Sequence, residues 1–349
     1  MKKYKFNRSF TFEGKRYFVH GDSEKEVAEK IVLKKRDLEE GKVIIDKSMK
    51  VEDWAKICLN IYKPNISDHT KRNHDGILNR YILPVIGKMP LSQVKPLHCQ
   101  QILNQLTGMS KDTISKTSQL LNLIFRTARD NQLLIVEPTN GIFRPDGTTK
   151  HRRAITEAER KALLSVCYSD FKFVPYLFML LCGCRPAEAL SVRANDIQSM
   201  DDIIVLHIRG TKTDNADRMV PLPLDFYSYL DKSGVKGFNL YSEKVSGGEH
   251  TENSYRNLTR CLKRQMNLEM GARTYRNALI PPLPLAEDFE PYCLRHTYCT
   301  DLKKAGVPLS IAKDYMGHAD VATTANIYSH SDDDTLKMGA SILGFRKTS

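Results

Sequence analysis

Three textures follow one another along this chain, and the period of the apolar positions distinguishes them. The first, to about Asp46, opens with basic and aromatic residues in alternation: Tyr4, Phe6, Phe10 and Phe12, then Lys15, Arg16, Tyr17 and Phe18. Period-two alternation around Glu13 and Gly14 predicts two short strands joined by a turn. Asp22 and Ser23 then precede EKEVAEKIVLKKRDLEEG, where Val27, Ile31 and Leu38 suit one face of a helix that Gly41 stops. So small a sheet with one helix cannot enclose a large core. Residues 1–46 therefore read as a small binding module, or as a charged extension with no partner of its own.

The second texture, over residues 47–145, is helical throughout. Val51, Trp54, Ala55 and Cys58 recur at helical spacing. Ile77, Leu78 and Tyr81 suggest a second helix ending near Pro84 and Gly87. HCQQILNQL and TISKTSQLLNLIFRTARDN carry the same period, and YILPVIGKMPLSQV reads as an ordered turn between two helical patterns. Lys71, Arg72, Lys111 and Lys116 fall where helix starts could face a phosphate backbone. As isolated cations they suit ordinary surface equally well.

After the basic, turn-rich linker FRPDGTTKHRR, residues 152–349 mix helices and strands. Thr156 and Glu159 form a T-x-x-E capping box ahead of ERKALLSVCYS. FKFVPYLFMLLCG is a second apolar helix leading to Arg185, and Pro186 fits the first turn of a new one, which puts Arg185 at a helix N-terminal edge. DIIVLHIRG and RMVPLPL alternate like two strands around TKTDNAD, so Lys212 lies on or beside a hairpin tip. A long polar and basic stretch precedes CLRHTYCTDLKKAG, a helix with Gly306 at its end. SIAKDYMGH and TTANIYSH follow as further helical pieces. The expected architecture is multidomain and mainly α: a small β-sheet plus helix, an all-helical domain, and a mixed α+β domain.

Composition adds a partner class. The 349 residues carry a formal net charge of +12 and a hydrophobic fraction of 41%. The apolar fraction excludes wholesale disorder. The basic excess favours a polyanion, because each Lys or Arg that meets a phosphate releases condensed counterions; it would also suit a solvated basic surface. No stretch has the length and apolarity of a membrane span, and MKKYKFNRSFTFEG lacks the apolar core of a signal peptide, so the expected location is cytoplasmic, with no membrane partner. The eight cysteines form no CxxC pair and sit mostly among apolar residues. They read as buried reduced thiols rather than a zinc site or disulfide framework.

The candidate chemistry lies in the third texture. In order, it offers Arg185 in GCRPAEAL, Lys212 in RGTKTDNADRMVPLP, Arg295 in YCLRHTYCTDL, His318 in MGHAD and Tyr328 in NIYSH. Cleaving a phosphodiester without metal needs a nucleophile, neutralisation of charge on the non-bridging oxygens, and a proton donor for the leaving alkoxide. Two arginine forks, a lysine on a hairpin and a tyrosine supply these types. Each residue alone has an ordinary structural explanation; their order and setting together point to chemistry.

With these blocks the chain resembles the tyrosine recombinases, the phage integrase family. GCRPAEALSVRANDI resembles the family's first-arginine block, GTKTDNADRMVPLPL its lysine hairpin, and CLRHTYCTDLKKAGVPLSIAKDYMGHADVATTANIYSH the joined block of second arginine, Gly-His pair and tyrosine. The helical middle resembles the family's core-type DNA-binding domain, and the N-terminal module the arm-type DNA-binding domains of mobile-element integrases. The resemblance implies that Tyr328 is the nucleophile of a 3′-phosphotyrosyl linkage, that Arg185 and Arg295 hold the scissile phosphate, that Lys212 protonates the 5′-oxygen and that His318 donates to the phosphate. It implies neither ATP nor divalent metal nor other cofactor. Double-stranded DNA, a homotetramer at the synapse, and an excisionase or host DNA-bending protein are the implied partners.

One position departs from the pattern. Many members carry histidine three residues before the second arginine, where this chain has Tyr292. An ordinary phenol titrates near about 10 and is a poor base at neutral pH, so Tyr292 is expected to orient phosphate or nucleophile by hydrogen bonding. His296 keeps a buried structural part. Ile342, Leu343 and Phe345, after the nucleophile, offer an apolar anchor for a neighbouring subunit. A type IB topoisomerase and a DNA-binding protein with a dead active site are the competing readings.

Overall fold

The computed structural model describes residues 5–12, 14–39, 48–149, 152–210, 217–244, 246–318 and 325. The chain divides into two compact units, residues 1–150 and 151–349.

In the first unit, strands β1 (Phe6–Phe12) and β2 (Lys15–Gly21) pair antiparallel with Phe6 opposite Gly21 and Phe12 opposite Lys15. Helix α1 (Glu24–Glu39) starts where Ser23 accepts from the Glu26 N–H, and Val27 beneath it is buried together with Val19. Little else in this module is buried: Phe18 is 60% exposed. Helices α2 (Val51–Tyr62), α3 (Asp68–Ile77), α4 (Leu83–Ile86), α5 (Pro96–Asn104) and α6 (Lys111–Asp130) enclose a separate core that includes Trp54, Ile82, Ile86, Leu103, Leu121 and Phe125. Ser67 and Ser110 cap α3 and α6 by accepting from Thr70 and Thr113 N–H groups. The indole N–H of Trp54 donates to the Ile124 carbonyl at 2.9 Å, which satisfies a buried donor and fixes α2 against α6.

One expectation needs correcting here. Of the stretch 81–94 expected as a turn, residues 81–86 are helical: a π-type turn over Leu78–Ile82 runs directly into α4, which ends beside Gly87. Pro84 sits in the first turn of α4, where its missing N–H leaves no donor unmet. Only residues 87–95 form the connection, through a short 3₁₀ turn at Leu91–Gln93.

The second unit begins with α7 (Glu157–Ser169), where the Thr156–Glu159 capping box forms in both directions. Helix α8 (Val174–Leu181) is buried along nearly its whole length and leads into α9 (Pro186–Leu190). Strands β3 (Ile197–Met200), β4 (Ile203–Ile208) and β5 (Arg218–Pro221) form an antiparallel sheet in that order. The sequence pattern omits β3 because its last three residues are exposed, leaving no alternation to read. It is set by the tight turn at Asp201, whose φ of 47° brings Met200 opposite Ile203.

Helix α10 (Leu224–Lys232) follows. The polar stretch after it holds α11 (Glu252–Glu269), which no expectation placed there, although Leu262 and Met266 are four apart and both buried. A two-residue hairpin, β6 (Thr274–Tyr275) and β7 (Ala278–Leu279), precedes α12 (Tyr292–Lys304) and α13 (Leu309–Met316). Gly306 has the positive φ of a helix terminator. The piece containing TTANIYSH lies outside the described residues apart from Ala325, as do Gly41 and Ile342, Leu343 and Phe345. Seven of the eight cysteines are buried and none is in a disulfide. No helix among the described residues is long and apolar enough to cross a membrane.

Candidate active site

The site is built where α8 ends against α12. Gly183 has a φ of 64°, and a Cβ there would lie 2.3 Å from Tyr298 Cδ1 on α12, so only glycine permits this turn and this approach. The turn delivers Arg185 to the N-terminal edge of α9, with Pro186 opening the helix. Glu188, one turn on, reaches back: one carboxylate oxygen accepts from the Arg185 backbone N–H and the other from Arg185 Nη1, both at 2.7 Å.

Two further arginines share that carboxylate. Arg218 opens β5 on its inward face and donates from Nη1 and Nη2 to the two Glu188 oxygens at 3.2 and 2.9 Å. Arg295, 3% exposed, places Nη1 at 3.9 Å from Glu188 Oε2 and donates to the Gly183 carbonyl. Arg185 begins this cluster and Arg295 lies 110 positions later in the chain, so only tertiary packing joins them.

The same three arginines also grip the end of α13. Arg218 Nε donates to the Tyr315 carbonyl at 2.7 Å, Arg295 Nη2 to the Met316 carbonyl, and Arg185 Nη2 to the Gly317 carbonyl at 2.8 Å. The last carbonyls of a helix lack intrahelical partners and carry the negative end of its dipole, so cations satisfy them doubly. Gly317 ends the helix in the left-handed conformation with φ of 58°, and His318 follows immediately. Three guanidiniums therefore position His318 through the backbone that carries it.

Three positive groups on one carboxylate leave an excess of positive charge. Burial pulls the Arg295 guanidinium down to about 10, assisted by the charges of Arg185 and Arg218. Burial favours protonation of Glu188, but the hydrogen bonds and charge of Arg218, then those of Arg185, outweigh it and hold the carboxyl at about 2. The His318 imidazole is pushed down to about 4, by burial first and then by Arg295, Arg185 and Arg218. It is neutral at pH 7 and can donate through one ring N–H. Such a site is poised for an anion.

A pH dependence follows from His318. Its folded pKa lies below the ordinary 6.5, so the unfolded chain takes up a proton that the folded one refuses as pH falls from 6.5 towards 4. This group should therefore lower stability across that window. In the free protein, NMR titration of the His318 ring should give a midpoint well below 6.5, and a midpoint at 6.5 would contradict the burial and the arginine field.

Arg185, Arg295 and His318 are thus brought together from three separate segments. Tyr292 opens α12 and is half-buried, with the Arg152 guanidinium 4.3 Å from its ring centre. Lys212 and Tyr328 lie outside the described residues. His296 is half-buried on α12. Glu188 and Arg218 were not singled out from sequence. The signal for Glu188 was present as an acid at capping-box distance from Arg185; Arg218 showed only as an arginine on the inward register of a strand.

Comparison with known proteins shows the family. Residues 153–335 match the phage integrase family, and residues 50–107 match the N-terminal SAM-like domain of phage integrases. The chain is 21% identical over 330 residues to the transposase from transposon Tn916 of Enterococcus faecalis, covering 88% of this chain and 80% of that protein. It is 24% identical over 274 residues to the XerC-like tyrosine recombinase of Caldanaerobacter subterraneus, covering 69% and 68%. Its fold is similar to that of the Tn1549 transposon integrase in complex with a circular intermediate DNA, with a TM-score of 0.67 and 21% identity over 85% of this chain and 100% of that one. The lambda integrase dimer bound to a COC′ core site aligns with a TM-score of 0.60 at 14% identity, covering 93% of each chain. The chain belongs to the phage integrase family, the tyrosine-type site-specific DNA recombinases.

Proposed function

We propose that this protein integrates or excises a mobile element by cutting and rejoining duplex DNA through Tyr328. The phenolate oxygen attacks the scissile phosphorus, the bond from phosphorus to the 5′-oxygen breaks, and Lys212 gives that oxygen its proton. The product is a 3′-phosphotyrosyl ester with a free 5′-hydroxyl, and attack by the 5′-hydroxyl of a partner strand reverses the step and releases the tyrosine. Arg185 and Arg295 hold the non-bridging oxygens, His318 donates to them as charge develops, and Tyr292 orients the phosphate or nucleophile by hydrogen bonding.

The observation that carries this reading is the convergence of three arginines on Glu188 and on the three carbonyls preceding His318. It leaves preorganised positive charge where an oxyanion would form, the usual source of large rate effects. Residues 47–145 are the core-type DNA-binding domain and residues 1–46 the arm-type module. Two DNA-binding regions let one protomer bridge distant sites, and exchange between two duplexes takes four protomers at the synapse. An excisionase or a host DNA-bending protein is the further partner of this reading. The reaction takes place on cytoplasmic DNA.

Plasmid DNA carrying the sequences that flank this gene, incubated in EDTA without ATP, provides the test. Wild type should form an SDS-resistant protein–DNA adduct, and Tyr328→Phe should form none while still binding DNA. Specific binding without an adduct, even on a nicked suicide substrate, would favour a DNA-binding protein. Relaxation without recombination would favour a topoisomerase.

A further inference from the structure

The strap that leads into α7 is pinned to the start of α12. Arg153 donates to Glu159 at 2.6 and 2.7 Å and to Asp288 at 2.9 Å, just ahead of α12. The Ile155 N–H donates to Thr297 Oγ1 on α12 at 2.9 Å. These bonds fix the backbone beside Arg152, whose guanidinium lies 4.3 Å from the centre of the Tyr292 ring. Tyr292 and Arg295 are three apart on α12, which makes them neighbours on one helix face. Arg152 therefore stands one turn from the arginine cluster.

Glu159 and Asp288 pair with Arg153, and Glu290 pairs with Lys263 at 3.0 Å. Among the described residues Arg152 has no ion pair and no hydrogen bond; its partner is the ring. A guanidinium stacked on an aromatic face keeps its edge N–H groups free, and its charge is undiminished by a neighbouring carboxylate. The side chain is exposed.

We propose that Arg152 contacts the DNA backbone phosphate beside the scissile one, and that the ring of Tyr292 is the platform that holds it there. This rests on the recombinase reading of the same site. It gives the tyrosine at the family's histidine position a second task, performed by its ring rather than its hydroxyl: it aims a permanent cation at the strand being cut. Arg152 is a phosphate-contacting residue and Tyr292 is, for this contact, a positioning residue.

The test uses the full chain and a duplex core site, with binding measured across a salt series. Arg152→Gln should weaken binding about tenfold at low salt, the scale of one charge-assisted hydrogen bond. It should also lower the slope of log affinity against log salt by about one. Tyr292→Phe keeps the ring and should keep the wild-type slope, whatever affinity its hydroxyl supplies. Tyr292→Leu should lower the slope as Arg152→Gln does, and the double variant should lower it no further than either single one. Arg152→Lys, which keeps the charge but stacks poorly, should restore the slope and only part of the affinity. An unchanged slope in Arg152→Gln, or additive slope losses in the double variant, would overturn the proposal, as would equal slope losses in Tyr292→Phe and Tyr292→Leu. Because binding is read without cleavage, these results stand apart from the Tyr328 adduct. Loss of the adduct reading with a normal Arg152 slope effect would sink the mechanism and leave the contact in place.

Discussion

Glu188→Ala is expected to destabilise the second unit by about 3–5 kcal/mol, the scale for removing one partner of a buried ion pair. The carboxylate is 10% exposed, and it faces Arg218 at 5% and Arg295 at 4%, so its loss leaves like charges together in a poorly solvated place. It also accepts the Arg185 backbone N–H at the start of α9, so a helix cap is lost with it. Urea unfolding should show a lower midpoint with an unchanged slope. A loss under about 1 kcal/mol would mean that solvent, rather than this carboxylate, neutralises the arginines. The pH dependence has a fixed sign. The folded carboxyl titrates at about 2 against an ordinary 4.5, so Glu188 contributes its full stabilisation above 4.5. The gap between wild type and variant should close as pH falls from 4.5 towards 2.

Arg295→Lys is expected to slow covalent cleavage by roughly 10²–10³-fold, the usual loss when one preorganised donor to a developing oxyanion is removed. The guanidinium fork reaches the Gly183 carbonyl on one side and the Met316 carbonyl on the other. A lysine ammonium is a point donor and cannot span both while also facing a phosphate. The variant should therefore lose direct phosphate contact and, through Met316, the placement of His318. Overall DNA affinity should change much less, since backbone phosphate contacts elsewhere supply most of it. Single-turnover adduct formation on a nicked substrate gives the rate. Cleavage within tenfold of wild type would remove Arg295 from the phosphate-binding role.

The failures and successes of sequence reading in this chain divide by distance along the backbone. The Thr156–Glu159 box, the Pro186 start and the Gly306 stop are governed by residues within a few positions, and each forms as the local chemistry requires. Strand β3 was hidden because its exposed residues leave no alternation to read. Helix α11 went unplaced although Tyr255, Leu258, Leu262 and Met266 carry a helical period, because polar and basic residues fill the positions between them. The π-type turn at 78–82 was hidden for a different reason. Proline at 84 signals an end, yet a helix can continue through it when the preceding turn widens.

For the site, the sequence by itself determined the order and type of the candidate groups: arginine, lysine, arginine, histidine and tyrosine. Tertiary structure alone brought Arg218 and Arg295 to the Glu188 that caps Arg185, and gave each arginine one successive carbonyl at the end of α13. It also decided that Arg152 lies on the ring of Tyr292. Caps and periods are short-range and are written in adjacent residues. The shared carboxylate and the stacked cation join segments more than a hundred residues apart, and their meeting depends on how α8 and α12 pack, which no local pattern encodes.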